Sequence, residues 1–209
     1  MVQKRKQSFQ PGDHVCSIYS TTNQLITVTA AFLAEGLTRG ERCWYVARGR
    51  ERYPIADALR KRHVDVDACL RSGALRFAAG HDAYLLHGRF NPERTLDVFN
   101  DAIDQASHDG WTGFRAAAEM SWALGVPDRT ERVIAYEALL KSLFRSARAT
   151  GLCLYPRRRM CSLAYQPTAM RFRGLSVLTN TPPPTSQRAP GGAQMNSIMR
   201  RTGDWSCTR

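Results

Sequence analysis

The sequence predicts an α/β fold of three layers: a mainly parallel five-stranded sheet with helices on both faces. Three observations carry this. Short β-rich runs alternate with longer stretches of helical apolar spacing in the order β-α-β-α-β-α-β-α-β, and parallel strands require crossovers of that kind. Hydrophobic residues make up 43% of the chain, which supports a packed core and excludes wholesale disorder. A length of 209 residues is that of one domain with a tail.

Each element has its own local reason. His14-Val15-Cys16-Ser17-Ile18-Tyr19 is a β-rich run. Ser20-Thr21-Thr22-Asn23 follows and supplies N-cap side chains, after which Leu25, Val28, Phe32 and Leu33 recur at helical spacing up to Arg39-Gly40. Arg42 to Ala47 is the second strand. Ile55, Ala58, Leu59 and Arg62 mark the next helix, Val66 to Leu70 a short one after it, and Ala74 to Ala78 the third strand. Asn91-Pro92-Glu93 opens a helix with proline in its first turn and an acid at the positive end of its dipole; Leu96, Phe99, Ile103 and Ala106 are its apolar stripe. Gly110 and Gly113 bracket a turn before the fourth strand, Phe114 to Ala118. Pro127-Asp128 starts the longest helix, carrying Val133, Tyr136, Leu139, Leu140, Leu143 and Phe144, and Leu152 to Tyr155 is the fifth strand. There is no internal repeat.

The net charge of +12 suggests nucleic acid or an acidic membrane surface, until the charges are located. Lys4, Arg5 and Lys6 belong to a basic arm, residues 1–12. Residues 7–150 hold 18 Lys/Arg against 17 Asp/Glu and are nearly neutral, whereas residues 151–209 hold 9 Arg and a single acid, Asp204. The fold therefore occupies about 13–160. Residues 161–209, rich in Pro, Thr, Ser, Arg and Gly, read as a disordered basic low-complexity tail or as an out-of-frame ending. Nucleic-acid binding by the body is disfavoured, and it stays a second alternative through the tail. No apolar stretch follows the arm as in a secretory signal, and no apolar run is long enough to span a membrane, so a cytoplasmic location is expected. The six cysteines (16, 43, 69, 153, 161 and 207) lack CxxC pairs and read as reduced thiols, with Cys16, Cys43 and Cys153 as small buried hydrophobes in strands.

In a parallel sheet the ligand crevice opens outside the carboxyl ends of the strands. Here those ends are Tyr19-Ser20-Thr21, Arg48, Gly80 to Tyr84, Glu119 to Trp122 and Tyr155-Pro156-Arg157. The first loop, Ser20 to Gln24, has neither the glycines nor the lysine with which a P-loop wraps a phosphate; GxGxxG and GxSxG are also missing. The closest potential metal ligands in sequence, His81, Asp82 and His87, read as a solvated loop, so neither metal nor cofactor is expected.

The ordered set of motifs resembles a known family. His14-Val15-Cys16-Ser17-Ile18-Tyr19, Ala34-Glu35-Gly36-Leu37 to Trp44, Asp82-Ala83-Tyr84-Leu85, Gly88-Arg89-Phe90, Gly113-Phe114-Arg115, Glu119-Met120-Ser121-Trp122, Tyr136-Glu137 and Leu152 to Tyr155 together resemble the MEDS (methanogen/methylotroph sensory) domain. That family is typified by the sensory domain of a regulator of dichloromethane dehalogenation. The resemblance implies a RecA-like fold that has lost its P-loop. It also implies a bacterial sensory role in binding small hydrocarbon-derived ligands, no catalytic residues, and protein partners such as kinase-like or anti-sigma modules. The alternative from a different class is a degenerate RecA-like nucleotide-binding protein or weak ATPase.

The candidate ligand residues are His14, Tyr19, Asp82, Tyr84, Arg115, Glu119, Met120, Trp122 and Tyr155. Met120, Trp122, Tyr84 and Tyr155 read as lining of an apolar pocket or as core, and Phe90 as core. Arg115 and Glu119 sit on or just after an apolar strand, where a charge must either pair or face the crevice. His14 reads as a ligand contact, a pH-sensitive group or a satisfied strand-end histidine. Glu137, in mid-helix, reads by default as solvated or helix-capping.

Overall fold

The computed structural model describes residues 9–47, 52–79, 85–86, 89–123, 127–159, 176–179 and 199–201. In chain order the elements begin with β1 (His14–Tyr19), α1 (Thr22–Thr38), β2 (Arg42–Ala47), α2 (Arg52–Arg60), α3 (Val66–Ser72) and β3 (Leu75–Ala79). A small hairpin follows, β4 (Leu85–Leu86) and β5 (Arg89–Phe90), then α4 (Pro92–His108) and β6 (Phe114–Glu119). A 3₁₀ turn at Ser121–Ala123, α5 (Pro127–Ser146) and β7 (Ala149–Pro156) complete the body. The expected five strands are all present and all mutually parallel, in the order β3-β2-β6-β7-β1.

Two short strands extend the sheet beyond β1. β8 (Ser176–Thr179) pairs parallel with β1, and β9 (Met199–Arg201) pairs antiparallel with β8. Both fall within the stretch read from sequence as a tail. The local reason is the four-residue run Ser176-Val177-Leu178-Thr179, whose β-branched and apolar residues suit an open strand edge.

Side chains alternate across the pleat, so each strand serves two cores. On one face Val15, Cys43, Tyr45, Ala117, Leu152 and Leu154 pack with Leu25, Phe32 and Leu33 of α1, Ile55 and Leu59 of α2, and Val66 of α3. On the other, Cys16, Val46, Ala116, Ala118, Cys153 and Tyr155 pack with Phe99, Ala102 and Ala106 of α4 and Val133, Tyr136, Leu140 and Phe144 of α5. Burying one such large apolar side chain is worth about 1.5–3 kcal/mol, so these stripes, more than propensity, hold the helices.

The caps predicted from sequence form. Thr21 Oγ1 accepts from the Gln24 amide at 3.2 Å, and the Gln24 side chain accepts in return from the Thr21 and Ser20 amides, a full capping box. Asn91 caps α4 through the Arg94 amide at 2.8 Å. The fifth strand starts three residues earlier than its apolar run, at Ala149-Thr150-Gly151. A Cβ at Gly151 would collide with the Phe144 ring and come within 3.0 Å of His14, so the glycine makes room for α5.

Candidate functional site

After β1 the chain leaves towards the face carrying α1, and after β6 towards the face carrying α5. The ends of β1, β7 and β6 therefore open where the two helix layers part. The structure brings Tyr19 and Glu119 together here. Glu119 is buried at the last position of β6, and its Oε1 accepts from the Tyr19 hydroxyl at 2.7 Å, reaching past the intervening β7. Oε1 also accepts from the Ser121 amide at 3.0 Å, and Oε2 from the Ser121 hydroxyl at 2.8 Å. A carboxylate offers about four lone-pair sites, so three neutral donors leave one on Oε2. Two cations edge the same ends: Arg157 Nε donates to Ser20 Oγ at 3.1 Å and Arg159 Nη1 to the Ser121 carbonyl at 2.7 Å.

The start of α1, where a phosphate would sit in a nucleotide-binding relative of this fold, is occupied by its own side chains. The capping box consumes the Ser20, Thr21 and Gln24 amides. The loop thus lacks the P-loop residues, and three of its amides are already engaged by its own side chains.

Met120 and Trp122 are buried, as are Phe90 and Tyr155. Trp122 and Tyr136 each meet Phe90 edge-on, at ring-centroid distances of 5.0 and 5.4 Å, a packed aromatic cluster within the core. Asp82 and Tyr84 lie outside the described residues.

Arg115 lies four residues before Glu119 on β6, towards the other end of the strand, and its charge is paired. Its side chain is wholly buried and grips Glu41 with two nitrogens, Nε to Oε2 and Nη2 to Oε1, while Nη1 donates to the Phe32 carbonyl at 3.0 Å. The guanidinium also stacks on Phe32 at 4.7 Å. α1 can approach this closely because position 36 is glycine: a Cβ there would stand 2.6 Å from Arg115 Cδ and 2.7 Å from Cys43 Sγ. Glu41 gave no signal in the sequence, being 74 residues from its partner.

His14 starts β1, about 17 Å of strand away from Tyr19, and belongs to a second polar cluster beneath α5. Its Nε2 lies 3.3 Å from Glu137 Oε2 and 3.4 Å from Cys153 Sγ. The Cys16 thiol faces the same Glu137 oxygen at 3.4 Å, and the Tyr155 hydroxyl donates to Oε1. Cys16 and Cys153 are register partners on adjacent strands. His14, Cys16 and Glu137 present ligand-type atoms all within 4.8 Å of one another, close enough to share one cation.

Burial dominates the titration behaviour of this cluster. It pushes the His14 pKa down, against the opposing pull of Glu137, with Lys141 adding to the lowering. It pushes the Cys16 and Cys153 thiols and the Tyr155 phenol well up, and the charge of Glu137 adds to each. Glu137 itself corrects the sequence reading: it is 1% exposed, neither solvated nor a cap. The signal was present, because 137 falls four after Val133, three before Leu140 and seven before Phe144, all on the buried stripe of α5.

Residues 13–164 match the model of a family described as MEDS, the methanogen/methylotroph, DcmR sensory domain. Over 125 residues the chain is 28% identical to the transcriptional repressor DcmR of Methylorubrum extorquens, an alignment covering 60% of this chain and 44% of that protein. The chain thus spans less than half the length of this curated relative. Among the described residues no helix is long and apolar enough to cross a membrane.

Proposed function

The chain belongs to the MEDS family of sensory domains, and on that premise we propose that it senses a small organic compound at the carboxyl ends of β1, β6 and β7 and passes the signal on by docking, without catalysis. The observation that carries the proposal is Glu119, a buried carboxylate held at the strand ends by Tyr19 and Ser121, with one acceptor site left over. Burying a carboxylate costs several kcal/mol unless its hydrogen bonds are filled, and a ligand donor completes the set. In this reading the aromatic cluster of Phe90, Trp122 and Tyr136 is the apolar floor, and Arg157 and Arg159 lie at the rim.

A ligand that draws Glu119 away from Tyr19 or Ser121 shifts the start of the 3₁₀ turn, which leads into α5. That is a route from crevice to surface. The partner proposed is a regulatory module, by analogy with a relative that is a transcriptional repressor, and the setting is the bacterial cytoplasm. Nucleotide binding is the weaker alternative because the α1 cap is already filled. The test is thermal-shift screening of the full chain against one-carbon compounds (dichloromethane, methanol, methylamine and formate) with ATP alongside. At saturating concentration, a hundred times Kd, one site adds about 2.7 kcal/mol. Stabilisation by a one-carbon compound that is lost in Glu119→Gln supports the proposal. Stabilisation by ATP alone, or by none of the panel, counts against it.

A further inference from the structure

We propose that His14, Cys16, Cys153 and Glu137 form a closed tetrahedral site for a divalent transition metal of borderline softness, zinc foremost, between the sheet and α5. The donors come from three separated segments, so no local spacing announces them. β1 supplies His14 and Cys16, two residues apart and therefore on one face; β7 supplies Cys153 as the register partner of Cys16; α5 supplies Glu137 from above. Bonds of about 2.0 Å to nitrogen or oxygen and about 2.3 Å to sulfur place tetrahedral ligands about 3.3–3.8 Å apart. The spacings of 3.3 Å (His14 Nε2 to Glu137 Oε2), 3.4 Å (His14 Nε2 to Cys153 Sγ) and 3.4 Å (Cys16 Sγ to Glu137 Oε2) match that edge length, while His14 and Cys16, within 4.8 Å of each other, stand wider and draw in on loading.

The chemistry of the set agrees. One imidazole, two thiols and a carboxylate suit zinc, and two thiolates with a carboxylate supply three negative charges against two positive. Loading forms two metal–sulfur bonds and releases the two thiol protons to solvent. Glu137 already divides its oxygens as a ligating carboxylate does: Oε2 faces the cluster, and Oε1 accepts from Tyr155, which fixes its orientation. With all four positions filled by protein, the ion ties β1, β7 and α5 together and activates no water. This site is separate from the crevice of Tyr19 and Glu119 and stands without it.

The experiment is metal analysis of the full chain purified from zinc-supplemented and from cobalt-supplemented cultures, with far-UV circular dichroism confirming the fold. About one ion per chain is expected, with intense thiolate-to-cobalt charge-transfer absorption and tetrahedral d–d bands in the cobalt form. The Cys16→Ser/Cys153→Ser variant loses the charge-transfer band, and Cys69→Ser keeps it. Tyr155→Phe keeps the band and weakens zinc binding about 10–100-fold in competition with a chromophoric chelator. If the double serine variant does not fold, the stoichiometry and spectrum of the unaltered chain decide. A folded chain that holds no zinc and shows no cobalt bands overturns the proposal, as does a band that survives loss of both cysteines.

Discussion

Replacing Arg115 by methionine separates a structural arginine from a ligand-binding one. Arg115 and Glu41 are both buried, and the pair is bidentate, with a further bond to the Phe32 carbonyl. Arg115→Met leaves Glu41 charged in the interior with its principal partner gone. Breaking a buried pair in this way costs about 3–5 kcal/mol. A domain of this size loses about 2–4 °C of Tm per kcal/mol, so the expected fall is about 6–20 °C by calorimetry. The decisive control is Glu41→Leu combined with Arg115→Met. It removes both charges, and exchange of a buried pair for apolar residues is often neutral or better, so most of the loss should return. A single variant within about 1 kcal/mol of the parent, or a double variant no better than the sum of the two singles, would refute the structural assignment.

Gly36→Ala drives a methyl group into Arg115 and Cys43 and should cost about 1–3 kcal/mol in urea unfolding, with an unchanged m-value. Tyr19→Phe removes a hydrogen bond to the Glu119 carboxylate, worth about 1.5–3 kcal/mol, and should also reduce any thermal shift produced by a crevice ligand. In the metal-free chain His14 gives a pH dependence of definite sign. Its folded pKa lies below the ordinary 6.5, with Glu137 and Lys141 of α5, Cys16 of β1, and Cys153 and Tyr155 of β7 around it. The unfolded chain therefore binds a proton first, and stability present above pH 6.5 is lost as pH falls towards the lowered folded value. Denaturant unfolding of His14→Gln should show a shallower loss over that window; identical slopes would contradict the assignment.

Local chemistry made much of the fold readable. The run His14 to Tyr19 and the cap at Thr21 are set by neighbours in sequence, and both appear where the pattern placed them. Strand order is a different matter: β1 sits beside β7, some 130 residues on, and nothing local encodes that pairing. The same holds for the polar sites. Tyr19 and Glu119 were readable because strand ends in a parallel sheet converge, whereas the partners Glu41 and Arg115 meet only through packing around Gly36. Glu137 was misread because a charged residue on a helix was assigned by type, while its position on the α5 stripe pointed inward.

The net charge of +12 is carried almost entirely by Lys4, Arg5 and Lys6 and by residues 151–209, which hold 9 Arg against a single acid.

The most direct test of sensing at the strand ends is an amide NMR titration of the isotope-labelled full chain with the one-carbon compounds, in parallel with Glu119→Gln. Saturable shifts are expected at Tyr19, Ser20, Glu119, Ser121 and Arg157, absent from the variant. Shifts centred elsewhere, or no shifts from a folded chain with any of the four compounds, would contradict a sensory crevice at the ends of β1, β6 and β7.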